Sequence, residues 1–163
     1  MMGEMSMSMS IGIDNLQKYE NYKEQFRRLN KALANGFNLE AIFIEYAILE
    51  DRTESILRHG GMWDSYLKKQ KDRGISINSK ITYIRKRTEG GDKLLKKYFS
   101  DDLLEQVLHW KDERNRLIHA LLKQPLAHNE VSGLAAQGNE LVKTLRSRTG
   151  NYNRAVEKAK AAK

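Results

Sequence analysis

The chain has 163 residues, 40% of them hydrophobic and 31% charged, which fits one domain with a single core and excludes a disordered chain or a collagen-like repeat. Lys and Arg number 29 against 21 Asp and Glu, a formal net charge of +8 that points to an anionic partner and not to a fold. The absence of cysteine excludes a disulfide framework, thiolate metal sites and a cysteine nucleophile, and the one proline, Pro125, suits long uninterrupted helices.

Residues 1–12 open on Met1 to Ser10, which has neither a basic leader nor an apolar h-region. They read as a disordered leader, and a cytoplasmic location is expected. Asp14 is the expected N-cap of a first helix reaching Ala34, with Leu16, Tyr19, Phe26, Leu29 and Leu33 as its apolar set and Asn35-Gly36 as its stop. Asn38 is expected to cap a second helix to about His59, in which Leu39, Ile42, Phe43, Tyr46, Leu49, Ile56 and Leu57 recur at helical spacing. The apolar run Ala41 to Leu49 within it is interrupted by Glu45, and a bilayer span needs about 20 apolar residues, so no membrane partner is expected.

Residues 62–100 carry 11 basic and four acidic side chains, a local net of +7. They read as short helices broken at Gly74 and Gly90-Gly91. Asp101-Asp102 then open a long helix to about Lys123, since the residue before Pro125 avoids the α region. A last helix is expected from about Asn129 to Ser147, followed by a basic tail, 151–163, that could extend as a frayed helix. Residues 13–150 then form one domain. No segment alternates as a strand would. The expected fold is all-α, an antiparallel, up-and-down bundle with a basic insertion of short helices.

The informative helix is Asp101 to Lys123. Its apolar stripe runs through Leu104, Val107, Leu108, Ile118, Leu121 and Leu122, and its middle meets Lys111, Arg114 and Asn115, where packing alone would favour Leu. Asn115 and His119 are i and i+4 and share a face, and Asp112, nearly two turns before His119, shares it too. Arg114 lies about 140° around the helix from His119. One helix cannot easily bring both to a single phosphate, whereas two helices facing each other across a twofold axis could.

Arg114-Asn-Arg-Leu-Ile-His119 resembles the Arg-x4-His signature of the HEPN domain superfamily, in the form with Asn after the Arg. Trp110-Lys-Asp-Glu113 before it, and the late position in an all-α chain, resemble the usual setting of that motif. The resemblance implies a metal-independent RNA endonuclease with no cofactor, of the kind found in toxin–antitoxin and anti-phage systems. It further implies a homodimer whose two motifs line a shared cleft, with a possible antitoxin or other partner protein. The implied chemistry is attack by the RNA 2′-OH on the adjacent phosphate, leaving a 2′,3′-cyclic phosphate and a 5′-OH. His119 would be general base or acid, a role suited to a side chain type that ordinarily titrates near neutrality. Arg114 would stabilise the phosphorane charge, and Asn115 would orient His119 or hold the phosphate. Some members carry a Tyr two residues after the His, which partner nucleotidyltransferases modify; this chain has Leu121 there.

Two supporting roles stay open. Glu45 reads either as a boundary carboxylate paired to Arg52 or a neighbouring helix, or as a partner for Arg114. Asp112 reads as a helper on the Asn115/His119 face. The basic insertion is either a solubilising surface or an RNA footprint made by Lys68, Lys69, Lys71, Arg73, Arg85, Lys86, Arg87, Lys96 and Lys97. Tyr66, Tyr83 and Tyr98 are interleaved there and could stack on bases or pack in the core. His59, His109 and His128 form none of the spacings that build helical zinc or di-iron sites, so no metal is expected. The alternative to a nuclease is a non-catalytic helical adaptor that binds nucleic acid or a partner protein.

Overall fold

A computed structural model describes residues 15–125 and 127–163; the leader and the Asp14 cap lie outside the described residues. Every regular element among those residues is a helix, as the periodicity predicts. Helix α1 (Asn15–Ala34) turns back through Asn35–Phe37 into α2 (Asn38–His59). Phe37, not Asn38, occupies the cap position of α2, and no side chain caps it. The basic insertion folds as α3 (Trp63–Gln70), a 3-10 turn (Lys71–Arg73), α4 (Ile77–Glu89) and α5 (Lys93–Phe99). Gly74 and Gly91 separate these pieces at φ of 77° and 102°, the left-handed region in which a Cβ is strained. Ser76 and Ser79 form a capping box at the start of α4, and Asp92 caps α5.

Helix α6 (Leu103–Ala120) stops short of the expected Lys123, and Leu121 to Lys123 form a turn. Helix α7 (His128–Ala161) is longer than expected. It does not end at Ser147 but passes through Gly150 and takes most of the basic tail with it. The reason is tertiary. Helices α5 and α6 lie in series and antiparallel along α7, with Arg116 against Glu130, Trp110 against Leu134, Arg148 against Asp101, and Tyr98 and Phe99 against Tyr152. The 34 residues of α7, about 51 Å at 1.5 Å per residue, therefore have a burying partner along most of their length. Its buried stripe continues through Tyr152 to Val156.

The core sits between α2 and α7, which run in the same direction: position 138 meets Glu45, and Asn153 donates to the Ser55 hydroxyl. Four residues expected on apolar faces are exposed instead, Leu16 and Tyr19 on α1 and Leu39 and Phe43 on α2. Periodicity places a side chain on a face; it does not say which helix covers that face. No described helix is long and apolar enough to cross a membrane.

Candidate functional site

The centre of α6 is organised by Trp110. Its fully buried indole packs between α2 and α7, and its N–H donates to the Leu134 carbonyl at 2.9 Å. This sets the inward stripe as Leu103, Leu104, Val107, Trp110, Lys111, Leu117 and Ala120. Beyond Trp110 the stripe is turned by one position from the expected one. Leu117 is inside, while Ile118, Leu121 and Leu122 face out, Leu122 completely.

The polar break in the stripe is real, and it has two different causes. Lys111 buries its aliphatic stem and reaches the surface, where its ammonium meets Asp112 at 2.6 Å. Asp112 is thereby engaged by Lys111, and no hydrogen bond or ion pair joins it to His119 among the described residues. Arg114 is half-buried. Its guanidinium lies 4.1 Å from the centroid of the Tyr46 ring on α2, and it donates to Asn115 Oδ1 at 2.9 Å. Its buried Nε has no partner. Asn115 thus holds Arg114 and makes no hydrogen bond to His119. Burial and the nearby Glu50 push the Tyr46 hydroxyl pKa upward, and the Arg114 charge opposes them.

His119 is exposed one turn further on, with no side-chain hydrogen bond among the described residues. Arg114 and His119 consequently point different ways, as their five-residue spacing requires. The Arg114–Tyr46 contact also registers two antiparallel stripes. Stepping one and two turns from it towards the bundle end passes Phe43 and Leu39 on α2 and Ile118 and Leu121 on α6, all exposed. These four residues form an uncovered apolar rim, and His119 lies beside it, about 100° around α6 from Ile118.

Glu45 takes neither of its two expected partners. It is fully buried, and both carboxyl oxygens lack a hydrogen bond. Arg52 instead meets Asp51 at 2.8 Å and covers the Tyr22 ring, and Arg114 is turned to Tyr46. Glu45 faces Gly138 and Trp110, where the helices approach so closely that a Cβ at position 138 would lie 2.7 Å from Trp110 Cζ2 and would collide with Glu45 Oε1. Loss of hydration raises the carboxyl's pKa to about 9, so it is neutral at pH 7.

The nine basic residues expected to bind RNA come from four elements. Lys68, Lys69, Lys71 and Arg73 lie on α3 and its 3-10 turn, Arg85, Lys86 and Arg87 on α4, and Lys96 and Lys97 on α5. Arg85 donates to Glu105, and Lys96 and Arg85 share a groove with Glu89, Asp101, Asp102 and Glu105, which balances their charge. Lys97 lines a different groove, between α5 and α7. Tyr66 and Tyr83 are buried edge to face, 5.8 Å apart, so they pack the core; only Tyr98 of the three is half-exposed. No group of three His, Asp or Glu side chains suited to a metal forms among the described residues.

Two features were missed in the sequence. Tyr46 reads in the sequence only as one of the apolar residues of α2. Gly138 carried the one available signal of a close helix crossing, a glycine inside an otherwise regular helix. Comparison with protein-family models, with curated proteins and with solved structures found no match to this chain.

Proposed function

We propose that this protein is a HEPN-like, metal-independent endoribonuclease that acts as a homodimer, in a toxin or anti-phage defence role. One observation carries the reading: Arg114 is fixed against Tyr46 and Asn115 beside an uncovered rim of Ile118, Leu121, Phe43 and Leu39, while His119 stands open on another face of the same helix. An exposed apolar patch of this kind suits a protein interface. A second copy docked there by a twofold axis would bring its own Arg114 to this copy's His119.

In that cleft the His119 imidazole of one copy takes the proton from the RNA 2′-OH. The 2′-oxygen attacks the adjacent phosphorus, and the P–O5′ bond breaks. The leaving 5′-oxygen takes a proton from water, and the imidazolium returns its own proton to solvent, giving a 2′,3′-cyclic phosphate and a 5′-OH. The Arg114 guanidinium meets the charge that builds on the phosphoryl oxygens. Asn115 is a positioning residue that holds Arg114 in place.

The second reading is a non-catalytic adaptor that uses the same apolar rim for a partner protein. What favours it is that nothing in the described chain orients the His119 ring. Incubation of RNA with the protein in excess EDTA separates the two. The nuclease reading expects cyclic-phosphate ends from the wild type and their loss in both His119→Ala and Arg114→Ala. Cleavage that survives both substitutions, or none by the wild type, refutes it.

A further inference from the structure

Residues 140–163 hold seven basic and two acidic side chains, a concentration hidden when the charge is averaged over the C-terminal third. Where α5 lies against α7, two grooves open end to end, sharing Lys97, Tyr98 and Asn151 in their walls. Along their combined length the lining cations are Lys97, Lys143, Arg148, Arg154 and Lys158, and the one carboxylate is Asp101, already bound to Arg148. On α7 these cations are about 6 to 9 Å apart along the axis at 1.5 Å per residue, and they extend over about 22 Å.

We propose that this continuous groove is a docking track for the phosphate backbone of single-stranded RNA, separate from the Arg114/His119 end of the bundle. The identity of the polymer rests on the endoribonuclease reading above; the groove itself does not. Its shape matches the occupant. A spaced row of cations in a concave channel follows a polyanionic strand, whereas a flat anionic bilayer would meet only the convex backs of the helices. Lys97, Arg154 and Lys158 are exposed, as is Lys143, whose 3.6 Å pair with Glu140 is a solvent-exposed one that a phosphate can replace, while Arg148 is held by Asp101 and the Tyr98 carbonyl and shapes the wall. The half-exposed Tyr98 ring lines both grooves and offers a surface for a base. Asp101 is held below the usual carboxylate range, chiefly by its hydrogen bond from Arg148, so the wall keeps its ion pair in mildly acidic solution.

The test is fluorescence anisotropy of the full chain with a labelled 2′-O-methyl oligouridine. This probe lacks the 2′-OH nucleophile, so binding is read apart from cleavage. Lys97→Ala/Lys143→Ala/Lys158→Ala should weaken binding about tenfold or more and flatten the log–log salt slope by about 2, at about 0.7 per phosphate contact. The control, Lys23→Ala/Arg27→Ala/Lys31→Ala on α1, removes the same charge and should change affinity less than about threefold. Equal losses in the two triples, or no binding by the wild type, overturn the proposal. So does a groove triple that loses phosphatidylserine vesicles but keeps the oligouridine. A protein that cuts no RNA yet loses the probe in the groove triple refutes the nuclease reading and leaves the track standing. A protein that cuts RNA while the groove triple binds as wild type does the reverse.

Discussion

Replacing Glu45 by glutamine should make the protein more stable at neutral pH and remove most of the pH dependence of its stability between pH 5 and 9. In the fold the carboxyl is fully buried, has no hydrogen-bond partner and titrates near 9, against an ordinary value of 4.5. The folded state therefore holds this proton more tightly than the unfolded state. Its contribution is whole below about pH 4.5 and is lost progressively as pH rises through 9. At about 1.4 kcal/mol per pH unit, the loss at pH 7 is about 3 kcal/mol, and at pH 9 about 6 kcal/mol. Against a total stability of roughly 5–15 kcal/mol this is large. Glutamine has nearly the same shape and no proton to lose, so its own profile should be flatter by about that amount. Urea unfolding followed by helical circular dichroism at pH 5, 7 and 9, for wild type and Glu45→Gln, reads the difference directly. Parallel profiles for the two proteins would refute the reasoning, because they would mean the carboxyl finds water or a partner in the native state.

The close crossing at Gly138 should reject even a methyl group: Gly138→Ala gains helix propensity but forces Cβ into Glu45 and Trp110, for a net loss of about 1–3 kcal/mol in thermal melts. Trp110→Phe removes the donor to the Leu134 carbonyl and leaves a gap at the junction of α2, α6 and α7, and should cost about 2–4 kcal/mol by the same assay. Tyr46→Leu should free the Arg114 guanidinium and lower RNA cleavage at least tenfold while costing about 1 kcal/mol of stability. Tyr46→Phe, which keeps the ring, should retain most of that activity; equal losses in both would show that the ring is not what positions Arg114.

Much of the architecture was legible because helix signals are local. Gly36, Gly74 and the Gly90-Gly91 pair punctuate the helices where the sequence places them, and the Arg114/His119 divergence follows from helical geometry alone. The end of α7 was not legible, because Gly150 with its neighbours Thr149, Asn151 and Asn153 disfavours a helix locally and the antiparallel packing of α5 on Tyr152 outweighs them. The inward stripe of α6 slipped by one position because Leu117 and Ile118 are equally apolar, and the choice between them is made by Trp110 locking onto Leu134. The candidate site was legible as a set of residues but not as a set of contacts. Asn115 and Asp112 share a face with His119, yet each is engaged by its sequence neighbour, Arg114 and Lys111. A carboxylate in an apolar run, Glu45, suggested an ion pair; its actual environment depends on a glycine 93 positions away, beyond the reach of any local pattern.

The central proposal is that one active site takes Arg114 from one copy and His119 from the other. Mixing Arg114→Ala with His119→Ala protein, each inactive alone, tests it most directly. Random exchange makes half the dimers hybrid, and each hybrid has one complete site of two, so the mixture should recover about a quarter of wild-type RNA cleavage, in excess EDTA and with 2′,3′-cyclic phosphate ends. A mixture as inactive as its two components, while the wild type cuts, would contradict the shared site.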